Sequence, residues 1–214
     1  MEKKSLFISF VCRFLASLVL FSGSKAIESP QFTVIQSYSN MEIRLYKESS
    51  WMSALERGGT SFENSTKQGF HRLYQYIHGA NLNSSQLAMT APVLTTISTR
   101  ESNYIVRLYL PNGAIPRPNP ELNLGLDRWR SHCLAVRKFS GIAKDGSVEK
   151  EMEALRISLE KIWNESSGVV VENRFYTIAQ YSAPFQVSGR VNEVWMNVSG
   201  LTGKGCLPLN KGQF

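Results

Sequence analysis

Lys67, His71, Tyr74 and His78 recur at steps of four, three and four, a spacing that lays four side chains along one helical stripe. An ammonium, two imidazoles and a phenol on one face supply charge, lone pairs and aromatic surface. The imidazoles stand seven residues apart, about 10.5 Å along an α-helix. That is too far to chelate one metal ion as an i, i+4 pair would. Other reactive neighbours fail on geometry. His132 and Cys133 sit in a strand-like stretch, where adjacent side chains point to opposite faces, so they make a poor nucleophile and base. "GLTGKG" (Gly200–Gly205) carries Lys204 but opens no helical pattern, which argues against a phosphate loop. There is no G-x-S-x-G nucleophile elbow. The expectation is binding without catalysis.

The elements that must hold this stripe follow from periodicity. Residues Ser61–Gly79 place Phe62, Thr66, Phe70, Leu73 and Ile77 on one helical face, and Gly79 stops the helix. The Lys67/His71/Tyr74/His78 stripe is rotated from that face by about 100°. "MEIRLYKE", "PVLTTIS" and "NYIVRLYLP" read as strands, with Tyr104, Val106, Leu108 and Leu110 alternating onto one side. The pattern then returns: "HCLAVRKFSG" as a strand, and Ser147–Asn164 as a helix with Val148, Met152, Leu155, Leu159 and Ile162 inward. "RFYTIAQYS" and "NEVWMNVSG" follow as strands. Each half, Met41–Leu110 and His132–Val198, reads strand–helix–strand–strand, and the proline-rich "PNGAIPRPNP" joins them. Neither half buries its helix alone, so the fold expected is one α+β domain. It is a distorted antiparallel β-barrel of about eight strands with two flanking helices. Trp51, Trp129, Trp163 and Trp195 are expected to anchor its packing.

Composition bounds the compartment and the partners. The 214 residues are 43% hydrophobic, enough for one domain with a sizeable core. "MEKK", an apolar run interrupted by Arg13, and small residues at Ser24 and Ala26 predict a signal peptide over 1–26, cleaved after Ala26. The apolar run is too short for a membrane-crossing helix. Residues 1–26 carry four of the 24 Lys and Arg and one of the 17 Asp and Glu, so the remaining chain has a net charge of +4. That charge is scattered, without a basic tract, and excludes nucleic acid as an expected partner. Sequons at Asn64, Asn83, Asn164 and Asn197 agree with a glycosylated, secreted or endomembrane-lumen protein. Cys133 and Cys206 remain after Cys12 leaves with the leader, and they form the candidate disulfide. Residues 27–200 are read as the folded domain and 201–214 as a flexible tail.

"QLAMTAPV" (Gln86–Val93) is neither good helix nor ordinary loop. Pro92 restricts Ala91 to extended geometry. Met89 and Ala91 are expected to turn inward, with the Thr90 hydroxyl bonding nearby backbone. The peptide becomes an irregular strand entrance beside the end of the first helix. Together with "Y-x-x-G-x-N" (Tyr76–Asn81), "MEIRLYKESSW", "LYLP", "VRKFSG" and "AQYSAPFQVSGRVNEVW", it resembles the SOUL haem-binding-protein family over about Pro30–Val198. The resemblance implies a distorted barrel with two helices and binding of haem or a related tetrapyrrole, without known chemistry on it.

The resemblance also places the site along the first helix and beside the loop before the last strand. A flat macrocycle needs an aromatic face, cations for its propionates and, where iron is ligated, an axial nitrogen. Phe70 and Tyr74 would supply the face, Lys67 a charge, and His71 or His78 the nitrogen. The Ala183–Val187 loop with Phe185, and nearby Arg190, would form the second wall. Two departures bear on this. Haem-ligating members have a histidine where this chain has Leu45, and charge-binding members have lysines where it has Gln75 and Gln186. Loose binding of a planar amphipathic ring is therefore the expectation, rather than tight ligation. The rival functions are a module for another flat hydrophobic ligand, and an interaction protein that uses the first helix surface.

Overall fold

A computed structural model describes residues 27–111, 113, 115–165, 170–183, 185–186, 188–201 and 206, without the side chains of 163–165. The signal-peptide reading, the Asn164 and Trp163 side chains, Pro184, Val187 and most of the expected tail lie outside them. In chain order the elements are β1 (Phe32–Ser37), β2 (Glu42–Tyr46), β3 (Ser49–Arg57), α1 (Phe62–Ile77), β4 (Val93–Ser98) and β5 (Asn103–Leu110). A one-turn 3₁₀ helix (Pro120–Leu122) leads to β6 (Leu124–Trp129), β7 (His132–Ser140), α2 (Asp145–Glu165), β8 (Val170–Val171), β9 (Phe175–Gln180) and β10 (Val191–Ser199).

The strands form one antiparallel sheet in the order β1-β2-β7-β10-β9-β4-β5-β3-β6, with β8 added beside β10. The repeat expected from sequence is present with one correction. Its first strand in the first half is β3, the counterpart of β7, whereas "MEIRLYKE" supplies β2. β2 crosses over to pair with β7, and β6, its counterpart in the second half, pairs with β3. Each half lends its leading strand to the other, and β4 against β9 joins them at the centre. The ten strands run from β1 to β6 in one curled sheet, which with its two flanking helices is the α+β distorted barrel expected from the sequence.

Both helices cover one face. Ser61 caps α1, its hydroxyl accepting the Asn64 N–H at 3.2 Å, and Gly79 ends the turn at φ +105°. α1 seats on β3 and β5 through Gly69, Leu73, Tyr76 and Ile77, with Ser65 also buried, while Phe62 packs into the cluster under α2. This is a stripe of close approach: a Cβ on Gly69 would lie 2.7 Å from Val106 Cβ. The expected stripe holds at Phe62, Leu73 and Ile77, but Thr66 and Phe70 are only half-buried because small residues make the contact. α2 buries Val148, Leu155 and Leu159 on β7 and β10, with Met152 and Ile162 partly covered. Within this layer Cys133 and Cys206 form a disulfide with their Cα atoms 5.4 Å apart, and both are buried.

The opposite face curls over itself and is filled. Tyr46, Trp51, Trp129 and Trp195 pack there, with ring centroids of Tyr46–Trp195 at 5.0 Å and Trp51–Trp129 at 5.1 Å. Two buried arginines cross it. Arg44 pairs with Glu193 at 2.9 Å and with Glu42 at 2.7 Å, and Arg107 pairs with Asp127 at 2.7 Å. Glu193 also accepts from the Tyr181 hydroxyl at 2.7 Å and from Trp195 Nε1 at 2.8 Å, so its charge is fully engaged. Burial and the Glu193 carboxylate push the Tyr181 phenol well above its ordinary range. Asn197 lies two residues beyond Trp195 on this packed face and is itself buried. That burial sets Asn197 apart from the other described sequons. Asn64 and Asn83 are exposed.

Candidate functional site

The concave face is packed, and among the described residues a large open space lies on the helix-covered side. A groove of about 1120 Å³ runs beside the exposed stripe of α1. That is slightly above the range typical of small-molecule pockets, about 300–1,000 Å³. One wall is α1, presenting Glu63, Lys67, Phe70, His71 and Tyr74. A second comprises Met89–Ala91 with Val93, and a third Gln180–Ala183 with Arg190. Ile27 and Ala143 complete the rim. The paired ends of β4 and β9, where Val93 faces Gln180, bring the second and third walls together. The Thr66 and Thr95 hydroxyls, 2.8 Å apart, tie α1 to β4 beside them.

The groove gathers five of the seven sequence-predicted residues: Lys67, Phe70, His71, Tyr74 and Arg190. His78 and Phe185 do not line it. His78 stacks on Tyr74 with centroids 3.9 Å apart at 27°, and its Nδ1 lies 2.8 Å from the Tyr74 carbonyl. It therefore supports Tyr74 from outside. Phe185 is 87% exposed at the tip of the β9–β10 connection. Phe70 and Tyr74 pack with centroids 6.1 Å apart, giving a continuous aromatic edge that ends on His78.

The "MTAP" peptide takes the opposite sense to the one expected. Thr90 is buried and its hydroxyl donates to the Tyr109 carbonyl at 2.7 Å, as anticipated. That inward hydroxyl turns its neighbour outward, so Met89 is 43% exposed and faces the groove. Ile27 and the Gln180–Ser182 segment were missed at the sequence level. Their places depend on long-range pairing, the Ala91 N–H to Glu28 carbonyl bond of 3.0 Å among them.

The cations divide by function. Arg72 lines the groove but is spent on structure. Its guanidinium donates to the carbonyls of Leu55, Leu122 and Asn123 and pairs with Glu56. Arg190 Nε donates to the Gln186 carbonyl at 2.5 Å and so is fixed at the rim. Lys67 is exposed and has no ion pair among the described residues. Of the imidazoles, only His71 reaches the groove, and its Nε2 lies 3.2 Å from Gln75 Nε2. Leu45 packs with the α2 core cluster, on a different part of the sheet. Gln186 bonds its own loop, donating to the Ser188 and Gly189 carbonyls. The donor set fits a carboxylated, planar, largely apolar molecule: aromatic edge, apolar rim, and cations on two walls. For an iron-centred ring it offers His71 as the one imidazole within the groove, already in contact with Gln75. A second cavity of about 130 Å³, between the end of α1 and β5, is too small for a ring of that size.

The model of the family described as "SOUL heme-binding protein" matches residues 27–197. Heme-binding protein 2 of Mus musculus is 30% identical over 186 residues, covering 82% of this chain and 88% of the relative. Heme-binding protein 2 of Homo sapiens is 28% identical, with the same coverage of both chains. Among solved structures, the C-terminal domain of EcmrR is similar in fold with a TM-score of 0.54 at 12% identity, covering 74% of this chain and 96% of that one.

Proposed function

We propose, from the premise that this chain belongs to the SOUL heme-binding protein family, that it holds haem or a related tetrapyrrole in the α1 groove without acting on it chemically. The observation that carries this reading is the convergence of Lys67, Phe70, His71, Tyr74 and Arg190 on one groove of sufficient size. Phe70, Tyr74, Met89 and Val93 would cover the ring. Lys67 and Arg190 would meet its carboxylates, and charge-assisted hydrogen bonds of that kind are worth about 1.5–3 kcal/mol each. Iron, when bound, would supply a Lewis-acid centre, and His71, which lines the groove, would be the residue to meet it. Its contact with Gln75 favours a groove that accepts metal-free rings almost as well. Buffering, carriage or sequestration of the ring outside the cytosol is the role proposed. It is supported by the leader-like 1–26, the exposed sequons at Asn64 and Asn83, and the Cys133–Cys206 disulfide. A second reading, another flat hydrophobic ligand, is favoured by the apolar rim at Ile27, Tyr74 and Met89.

Hemin titrated into the purified protein should give a saturable Soret shift. Replacing Lys67, His71 and Tyr74 together by Ala should weaken binding at least about tenfold, given the interactions removed. Absence of a saturable shift, together with specific uptake of an uncharged planar dye, would establish the second reading instead.

A further inference from the structure

The groove walls carry charge unevenly. Lys67 stands on the α1 side and Arg190 at the end of the β9–β10 connection, whereas Gln86–Val93 contains no charged side chain. Ile27 lies on the rim, 61% exposed. Its position is fixed by the next residue, because the Glu28 carbonyl accepts the Ala91 N–H at 3.0 Å. The family match also begins at residue 27. If the leader is removed after Ala26, as Ser24 and Ala26 direct, the new α-amine belongs to Ile27 and lies at the groove mouth.

We infer that processing completes the ligand site: the released Ile27 α-ammonium is a cation of the groove, on the Met89–Ala91 side, and pairs with a carboxylate of the bound ring. The inference rests on the tetrapyrrole reading and on cleavage after Ala26. The charged and titratable groups that share the groove with Ile27 are Glu63, Lys67 and His71 on α1 and Arg190, with Glu28 next in its own segment and Tyr109 on β5 within reach of the Glu28 charge. Tyr74 and Arg72 stand further along the same helix wall, with Arg72 paired to Glu56 of β3. The Glu28 charge and burial raise the Tyr109 phenol above its ordinary value, burial being the larger cause, so it stays neutral through the pH range of the test. An α-amine ordinarily titrates at about 7.7–8.0. A carboxylate partner raises that value, so the amine's contribution is complete below about pH 7 and is lost as pH rises through the bound-state value.

The test compares the chain starting at Ile27, its start confirmed by mass spectrometry of secreted protein, with one extended by three glycines. Fluorescence titration with protoporphyrin, a dicarboxylate without iron, reads the affinity of each. The Ile27 form should bind roughly threefold to fivefold more tightly at pH 7 and low salt, as for an exposed ion pair. The gap should close by pH 9.5 and be absent for the dimethyl ester. Cyanate treatment at neutral pH, which carbamoylates α-amines ahead of lysines, should reproduce the loss without lengthening the chain. Equal diacid affinity at pH 7, a gap persisting at pH 9.5, or a secreted chain starting elsewhere overturns the inference. If both forms bind equally, only the amine's part fails; if neither binds any porphyrin, the tetrapyrrole reading fails with it.

Discussion

Three histidines in this chain occupy three different environments, and spacing alone does not separate them. His71 and His78 share one exposed stripe, but the groove ends before His78, which is held against Tyr74. His132 is buried on the concave face, edge-on to Trp129 at 5.3 Å, with its Nδ1 2.7 Å from the Arg130 carbonyl. The stripe was legible because helix period needs only local sequence. Which imidazole meets a cavity depends on strands remote in the chain. Burial depresses the His132 pKa, so the folded state resists a proton that the unfolded chain accepts. A depressed histidine favours folding fully above its unfolded value, about 6.5. That advantage is lost as pH falls from there toward the folded value. Denaturant midpoints should therefore decline between pH 7 and 5, before most carboxylates titrate. His132→Phe should flatten that decline, and an unchanged slope in the variant would show that other groups set it.

At the level of elements, α1 shows why its core face was read one position off. The helical period suggested Thr66 and Phe70, yet the helix is drawn onto the sheet by Ser65 and Gly69, which a hydropathy stripe passes over. Thr66 and Phe70 are thereby left half-exposed at the groove, so close seating of α1 is what opens the site. Gly69→Ala should destabilise the protein by about 1–3 kcal/mol, as overpacking does, because the new methyl meets Val106 on β5. It should also weaken hemin binding by displacing α1, and a variant with wild-type Tm would refute the close seating. β3 and β6 escaped notice for a related reason. "SSWMSALER" is buried on both faces over Trp51–Ala54 and so lacks the alternation that marks a half-exposed strand. The "LGLDRW" of β6 follows a proline-rich connection that reads as loop.

For the molecule as a whole, the exchange of leading strands decides whether the halves are independent. The repeat was legible because each helix and its following strands carry local periodicity. The exchange was not, since no local pattern says that β2 prefers β7 to its own half or that β6 prefers β3. Separated at residues 111–115, the first half would keep β1, β3, β4, β5 and α1 but hold β2 without β7, its partner from the other half. The second would keep β7, β9, β10 and α2 with β6 unpaired. Each would also lose the β4–β9 junction, where six residue pairs from Val93–Gln180 to Ser98–Phe175 face each other. Arg44 and Glu193 would part as well, since they lie on strands of different halves, leaving buried charges that cost about 3–5 kcal/mol when one partner is removed. A domain's net stability is typically about 5–15 kcal/mol, so neither half should fold alone. Circular dichroism of fragments 27–111 and 115–214 should show little structure apart and native-like signal with a cooperative melt when mixed. A single half that melts cooperatively by itself would mean the exchanged strands are additions to an already stable unit.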